Sequence, residues 1–582
     1  MFAYSEAEHI LNSSQSTSLP AFFAMLTIIP ILIAISSAPM AVKASQELTV
    51  YRMQEYDFQS STHGCRNSIM NLEARTPQLL SQSFARKCVI VKLMHLVENR
   101  DLLDELFSET VAGGLLILIP ANLKQLTEEQ EANLLLMEKT IISETVQIPV
   151  YFATETKELL QIYDEVEQSG YTKHENVSGS EKLFNAVVAN GYQIVVSGSQ
   201  AAAIPNTIIS SLEGKLVAKG LEDQSPTIAI TAYYDSSSSV PGLSFGGDSN
   251  GSGVVALLEL SRILSKIYSN QKTHPPFNVV FLLSGGGKYS YLGTKKWIED
   301  HLDNSESGVL SDLVFSICLE ALADVEGTNS LYMHVSKPPK ENTPAFNFFQ
   351  QLQKVGKKYK VNVTMVHKKI NLADENLAWE HERFSIRRLP AFTLSTLNSH
   401  KSLRRSSITD TYEKINTKKL TRNINLIAEA FSRQMFDVEE KVNSQILHSE
   451  LAVSESFISS SLKFVTSIPR AQQLLLTTER ASSYQLPTFL STLQVMLKRY
   501  LKEVSVYHYK PDKREPEVVF YEPTVTKMNA YNIKPAIFDL FLSVVIVTYF
   551  GLLYVCLIVS YQLICNASQH FYCRTSITYN HL

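Results

Sequence analysis

An uncharged apolar stretch near the C terminus constrains this chain most. Residues Leu540 to Cys573 carry no charged side chain, and Leu540 to Val559 are mostly apolar. Twenty such residues match the length that a helix needs to cross a hydrocarbon core about 30 Å thick. A buried helix of a soluble protein would usually show a polar face over that length. The sequence therefore predicts a transmembrane helix over residues 537–562, followed by a cytosolic tail over residues 563–582.

A second uncharged segment lies near the N terminus, from Ile10 to Val42. Its apolar centre runs from Leu19 to Ile35, and small residues follow up to Ala44. This pattern is typical of a signal peptide, which we assign to residues 1–44. An uncleaved signal anchor is the alternative, because 17 apolar residues only just meet the spanning length. A signal peptide with one C-terminal span predicts that residues 45–536 lie outside the cytosol.

The composition excludes several classes of protein. Hydrophobic residues make up 45% of the chain and charged residues 19%, which is the balance of a chain with folded cores. A net charge of −4 provides no basic footprint for nucleic acid. Six cysteines in 582 residues exclude a disulfide scaffold. Three sequons fall in the predicted lumenal region and are candidate glycosylation sites: Asn176, Asn250 and Asn362.

Apolar strand-like runs alternate with helical patterns through most of the chain. They predict an N-terminal lumenal α/β lobe over residues 45–205, with strands at Cys88–Leu93, Leu115–Ile119 and Ile148–Ala153. A second unit over residues 206–436 has near-continuous apolar strands, which favour a sheet covered on both faces.

Residues 437–536 differ, with charged helical stretches and few strand patterns. Within them, Thr488 to Val504 has one apolar stripe at helical spacing. Packing on the main domain is the first interpretation of this stripe, and contact with a partner or a membrane surface is the alternative.

The richest local pattern is TAYYDSSSS followed by GGDSNGSGVVALLEL. A strand leads to Asp235, a glycine-rich turn carries Asp248, and a helix starts near Gly251. A carboxylate at such a junction can bind a metal ion. It can equally cap the helix, as Asp, Ser and Asn commonly do.

Six short motifs between residues 206 and 436 together resemble the two-zinc aminopeptidase family in order and spacing. The motifs are Ala232-Tyr233-Tyr234-Asp235, the run from Gly246 to Gly253, the run from Gly287 to Thr294, Leu319-Glu320-Ala321, Trp379 to Ala391, and Ser406 to Thr411. The resemblance implies an aminopeptidase-like domain over residues 206–436.

The same resemblance implies that most metal ligands are missing. Tyr233 and Ser406 stand where the family has histidine ligands, and Lys288 stands where it has a glutamate ligand. Asp248 keeps the position of the aspartate that bridges both metals, and Glu320 is a possible oxygen ligand. Two carboxylates are too few for a catalytic zinc ion, which takes about three protein ligands.

The proton-transfer group is absent as well. Gly287 stands where the family has its general base glutamate, and glycine has no side chain to carry a proton. His400 is the best candidate for a substitute ligand, but it lies six residues before Ser406. We therefore expect no catalytic residue, no metal and no cofactor, and read Tyr233, Asp248, Gly287, Lys288, Glu320 and Ser406 as a vestigial pocket.

Over nearly its whole length the chain resembles the nicalin family, which is related to nicastrin. The matching segments are Tyr51–Gln59, Ser284–Trp297, His334–Pro339 and Leu377–Ser395, together with the single C-terminal span. This resemblance implies a non-catalytic scaffold in the endoplasmic reticulum membrane. Its implied partners are a nodal modulator-like lumenal protein, a small multipass membrane protein and the translocon. The implied complex accompanies the translocon while multipass membrane proteins are inserted. A role in damping Nodal signalling is also implied.

Two alternatives remain open at this point. One is a lumenal zinc aminopeptidase with displaced ligands, and the other is a peptide-binding receptor that holds a free amine between Asp248 and Glu320. The expected fold is α/β, with a mixed, mostly parallel sheet flanked by helices as in zinc aminopeptidases. An N-terminal α/β lobe and a single C-terminal transmembrane helix complete it.

Overall fold

A computed structural model describes the chain from residue 45 onward, with gaps. The described residues are 45–77, 84–108, 111–123, 126–171, 191–196, 198, 200–219, 225–303, 310–437, 445–480, 483–534 and 536–578. The predicted signal segment 1–44, the sequon at Asn176 and the last four residues lie outside them.

The described strands are numbered in chain order. They are β1 (Ser45–Arg52), β2 (Glu55–Phe58), β3 (Ser61–Cys65), β4 (Met70–Arg75), β5 (Phe84–Lys92), β6 (Ala112–Ile119), β7 (Thr145–Val146), β8 (Val150–Thr154), β9 (Gly191–Val196), β10 (Ala202–Ala203), β11 (Ile209–Leu216), β12 (Thr227–Tyr233), β13 (Asn278–Ser284), β14 (Leu313–Leu319), β15 (Ser330–Val335), β16 (Asn362–His367), β17 (Ala391–Ser395), β18 (Thr478–Arg480), β19 (Ser483–Gln485), β20 (Val504–Tyr509), β21 (Val518–Glu522) and β22 (Val525–Ile533).

The described α-helices are numbered in the same way. They are α1 (Leu93–Glu98), α2 (Asp101–Leu106), α3 (Glu128–Ser143), α4 (Lys157–Tyr171), α5 (Ser252–Ser269), α6 (Leu292–Asp303), α7 (Pro344–Tyr359), α8 (His381–Ile386), α9 (Thr417–Met435), α10 (Glu455–Val465), α11 (Thr488–Lys498) and α12 (Ala536–Thr578).

The aminopeptidase-like unit is built on an eight-stranded sheet in the order β16-β15-β17-β14-β12-β13-β11-β20. Its central pairs β17/β14, β14/β12 and β12/β13 are parallel, as is β15/β16 at one end. The pairs β15/β17, β11/β13 and β11/β20 are antiparallel. Four of the seven strand pairs are parallel, so the sheet is mixed and the expectation of a mostly parallel sheet is met only in part.

Helices cover both faces of this sheet, which explains the unbroken apolar strands. All seven residues of β12 are buried. One face packs against α5, α7 and α9 in the largest apolar core, and the other packs against Trp297 of α6 and Phe384 of α8. Strands buried on both faces have no polar side to alternate with.

The N-terminal lobe contains a closed barrel in the order β1-β22-β9-β4-β5-β6-β8. The three predicted strands of this lobe are present as β5, β6 and β8, and they pair in parallel. The barrel itself was not expected. It closes because β22 pairs with both β1 and β9. Strand β22 comes from the region 437–536, far from the rest of the lobe in the sequence.

Residues 437–536 contain more strands than their sequence pattern indicated. Besides α10 and α11 they supply β20 to the central sheet and β22 to the barrel. Buried and exposed residues alternate only in part along β22, so its sequence shows little of the alternation that predicts a strand. The apolar stripe of α11 does pack on the main core, through Phe489, Leu490, Leu493 and Leu497.

One described helix is long and apolar enough to cross a membrane. It is the segment Phe538–Leu563 within α12, with a mean hydropathy of 2.6 and no burial inside the protein. This agrees with the span predicted over residues 537–562.

A buried glutamate joins the N-terminal lobe to the aminopeptidase-like unit. Glu138 of α3 accepts hydrogen bonds from the Ser239 hydroxyl at 3.0 Å, from the Ile408 backbone N–H at 3.0 Å and from the Ser407 hydroxyl. Despite these donors, burial raises the pKa of Glu138 to about 7. The folded protein therefore holds a proton here that the unfolded chain releases above about pH 4.5.

We predict that the titration of Glu138 lowers the free energy of unfolding as pH rises. A raised carboxyl pKa contributes stability that is full below about pH 4.5 and is lost as pH rises to about 7, a change of about 2–3 kcal/mol. Glu138→Gln should therefore lose less thermal stability than the wild type between pH 5 and pH 7.5. Glu129→Gln, an exposed change on the same helix, is the control and should follow the wild type. If the melting temperatures of the wild type and Glu138→Gln change equally between pH 5 and pH 7.5, this prediction is wrong.

Candidate functional site

The vestigial pocket lies at the carboxyl ends of the central parallel strands. Tyr233 ends β12, Gly287 and Lys288 follow β13, and Glu320 follows β14. Parallel neighbours present these ends at one edge of the sheet, where ligands commonly bind in α/β proteins. The structure thus brings together residues that lie far apart in the sequence.

The glycine-rich turn is held in place by a buried arginine from the region 437–536. Arg470 donates to the carbonyls of Tyr234 at 2.6 Å, Phe245 at 2.7 Å and Gly246 at 2.6 Å. Gly246 has φ +61°, which favours glycine, and a Cβ there would lie 2.5 Å from Ser236. The turn therefore depends on a residue more than 200 positions away.

Asp248, the retained bridging position, is engaged within the protein. One carboxylate oxygen accepts from the Ala323 N–H at 2.8 Å. Asp410 lies beside it and accepts from the backbone N–H groups of Asp248 and Ser249 at 2.7 and 2.9 Å. Burial, and then the neighbouring Asp410, raise the pKa of Asp248 to about 7.

Asp235 supports the backbone of this pocket. Its two carboxylate oxygens accept from the N–H of Gly287 at 2.8 Å and from the N–H of Lys288 at 3.1 Å. A carboxylate engaged in this way orients the turn after β13.

Glu320, the other retained carboxylate, is paired with an arginine that the motif comparison missed. The Arg405 Nε donates to Glu320 at 2.6 Å, and both side chains are largely buried, with exposures of 14% and 2%. The same guanidinium donates to the Tyr291 hydroxyl at 3.1 Å and lies 4.7 Å from the centre of the Trp379 ring. A fixed positive charge thus neutralises the carboxylate that could have bound a metal.

Sequence reasoning had one signal that could have found Arg405. It directly precedes Ser406, which stands at a lost histidine position. Where ligands are lost beside a retained carboxylate, a nearby basic residue is a candidate for its partner.

Tyr233 fills the space that a side chain at position 287 would need. A Cβ built on Gly287 would lie 2.2 Å from Cγ of the Tyr233 ring. The Tyr233 hydroxyl donates to the Ser249 carbonyl at 3.1 Å, and its ring meets that of Tyr291 edge-on at 5.6 Å. The tyrosine ring at position 233 and any side chain at position 287 therefore exclude each other sterically.

The remaining pocket residues add positive charge. The Lys288 ammonium donates to the Arg405 carbonyl at 2.6 Å and lies 5.4 Å from the centre of the Tyr233 ring. Burial, and then Arg405, lower the pKa of Lys288 to about 8. Ser406 and His400 line an open cleft beside Lys288. Burial, followed by nearby cations, lowers the pKa of His400.

These residues do not fit a two-zinc centre. Among the residues that the structure describes, no group of three or more His, Cys, Asp or Glu side chains could hold a metal ion. The two retained carboxylates are bonded to Arg405 and to the Ala323 backbone, and the Lys288 and Arg405 cations would repel a metal ion.

The comparisons with known proteins agree with this architecture. The family model described as Nicastrin large lobe matches residues 226–462. The chain is 41% identical to the human protein named BOS complex subunit NCLN, over 94% of this chain and 96% of that one. It is 31% identical to Nicalin of Caenorhabditis elegans, over 74% of this chain and 76% of that one.

The chain belongs to the nicalin family. Among solved structures, the crystal structure of the gamma-secretase component Nicastrin matches with a TM-score of 0.54 at 12% identity, covering 84% of this chain and 99% of that one. At that identity the match establishes a shared fold only.

For this nicalin-family chain we predict a strong coupling between positions 233 and 287. Gly287→Ala should lower the free energy of unfolding by about 1–3 kcal/mol, because its methyl group meets the Tyr233 ring. In a Tyr233→Ala background the same change should cost less than about 1 kcal/mol. Urea unfolding of all four proteins measures the coupling. Gly191→Ala, where the nearest atom is 3.6 Å away, is the control; additive effects at 233 and 287 would refute the steric link.

We also predict that Arg405 is far more important to stability than its neighbour Arg404. Arg405→Met leaves Glu320 buried without its cation and should cost about 3–5 kcal/mol. Arg404→Met breaks a pair with Glu131 in which the arginine is 33% exposed, and should cost less than about 1 kcal/mol. Equal unfolding free energies for the two variants would contradict the central role of the Arg405–Glu320 pair.

Proposed function

We propose that this protein is a non-catalytic scaffold subunit of a membrane complex of the endoplasmic reticulum. Its relatives of about 40% identity are named BOS complex subunits over nearly the full length of this chain. The observation that carries the non-catalytic part is the Arg405 guanidinium on Glu320, where a two-zinc enzyme needs a metal ligand. The fold is kept, while its pocket is occupied by the protein's own side chains.

The proposed topology is a single pass with the large domain in the lumen. The apolar segment Phe538–Leu563 provides the anchor. The N-terminal segment predicted as a signal provides the orientation, so that residues 45–536 are lumenal.

The proposed partners are a nodal modulator-like lumenal protein and a small multipass membrane protein. Together they would associate with the translocon and support insertion of multipass membrane proteins. Damping of Nodal signalling is a further part of the proposal. These roles rest on the family resemblance, because folds alone host unrelated functions.

Affinity purification of the tagged full chain in mild detergent tests the scaffold role. We expect both proposed partners to be recovered with it. A matched chain in which residues 536–578 are replaced by an unrelated single span separates contacts made by the anchor from those made by the lumenal part. Recovery of the intact anchored chain without either partner would refute the proposal.

Metal analysis of the purified chain tests the non-catalytic part separately. We expect well below one equivalent of zinc, unchanged by Asp248→Ala. About one or more equivalents, lost together with peptidase activity in Asp248→Ala, would favour the displaced-ligand aminopeptidase instead.

We predict that Asn362 carries a glycan and Asn250 does not. Asn362 begins the edge strand β16 and is exposed. Asn250 is fully buried, donates to the Asp235 carbonyl and accepts from Arg470, so this packing leaves no room for a glycan on its side chain. Asn362→Gln should increase gel mobility by the shift expected for the loss of one endoglycosidase-sensitive glycan. Asn250→Gln should leave the mobility unchanged. An unglycosylated Asn362 would argue against a lumenal domain.

A further inference from the structure

A cleft beside the vestigial pocket is lined by positive charge. It has a volume of about 310 Å³ and lies between α3, the turn after β13 and the loop around residues 400–406. Its basic lining residues are Lys139, Lys288, His400, Lys401 and Arg405. No carboxylate belongs to its lining within the part of the chain that the structure describes.

Two of these lysines have no ion-pair partner among the described residues. Lys139 and Lys401 are exposed and make no salt bridge there, whereas Arg404 and Lys414 both pair with Glu131. Three acidic residues lie near the cleft without lining it: Glu375 pairs with His63 at 2.7 Å, Asp374 acts on His400, and Glu144 directly follows the lining residue Ser143. The cleft therefore keeps uncompensated positive charge.

Lys288 also lines this cleft, and its ammonium has more N–H groups than its one hydrogen bond uses. It gives one hydrogen bond to the Arg405 carbonyl and retains further N–H groups, since an ammonium has three. Glu320, Asp235 and Asp410 raise the pKa of Lys288, whereas burial and Arg405 lower it by more. An anion in the cleft would accept hydrogen bonds from the remaining N–H groups.

Apolar residues adjoin the basic ones. Leu135 and Ile142 of α3 lie on one side of the cleft, with Leu377 and Leu403 also in its lining. A bare inorganic anion would leave this apolar surface unused. A carboxylate attached to an apolar side chain would use both features, because lysine and arginine bind carboxylates while leucine side chains bury apolar groups.

We propose that this cleft binds the free C-terminal carboxylate of a peptide chain whose last residues are apolar. Lys288, Lys139 and Lys401 contact the carboxylate, and the leucine-lined part of the cleft holds the apolar side chain. This is the reverse of a site for a free amine: Glu320, which would have attracted an amine, is neutralised by Arg405.

Fluorescence anisotropy on the detergent-purified full chain tests the proposal. The probes are two fluorescein-labelled hexapeptides of one sequence ending in Leu-Leu, one with a free C-terminal carboxylate and one with a C-terminal amide. We expect the free acid to bind at least tenfold more tightly, with an affinity that falls as salt rises. Equal affinities, or no binding of the free acid, would overturn the proposal.

Charge-reversal variants locate the site. The double variant Lys139→Glu/Lys401→Glu should weaken binding of the free acid at least tenfold, because both side chains are exposed and unpaired and so can be changed without disturbing the fold. Lys513→Glu, at an exposed lysine outside the cleft, is the matched control and should bind like the wild type. If the double variant melts below the wild type, Lys401→Gln alone serves as the milder variant. Unchanged binding in a folded variant would overturn the proposal.

A competition arm separates the peptide from a small anion. Inorganic phosphate at equal concentration should displace the free-acid peptide only weakly, because it leaves the leucine-lined surface empty. Displacement by phosphate at lower concentration than by unlabelled peptide would show a small-anion site and overturn the peptide assignment.

Discussion

A buried guanidinium–carboxylate pair organises the centre of this protein. Arg405 and Glu320 are 2.6 Å apart, and the same guanidinium contacts Tyr291 and the face of Trp379. Taking two charges out of water is costly unless each finds its partner, so removing either one leaves a large penalty. The chain itself thus supplies a positive charge at this edge of the sheet.

Several positions of the pocket are linked by packing and hydrogen bonds. The Tyr233 ring takes the space above Gly287, Lys288 brings an ammonium into the pocket, and Asp248 is bonded to backbone N–H rather than to an ion. Because each of these positions is packed against another, a substitution at one of them would disturb its neighbours.

The region before the membrane helix ties both lobes to the anchor. Strand β20 extends the central sheet and β22 closes the barrel, while Arg470 holds the glycine-rich turn. Only Lys534 and Pro535 separate β22 from α12 in the sequence. The apolar helix therefore follows the barrel strand directly in the sequence, without a long linker.

The sequence by itself determined the elements that depend on local pattern. The apolar strands β12, β13 and β14, the stripe of α11 and the span at Phe538–Leu563 follow from hydrophobic periodicity and length. The substitutions at Tyr233, Gly287, Lys288 and Ser406 could also be read directly, because they fall within ordered motifs. Tertiary structure alone decided the barrel closure by β22, the Arg405–Glu320 pair and the burial of Asn250. Each of these depends on contacts between residues that lie far apart in the chain. A local sequence pattern carries no information about such contacts.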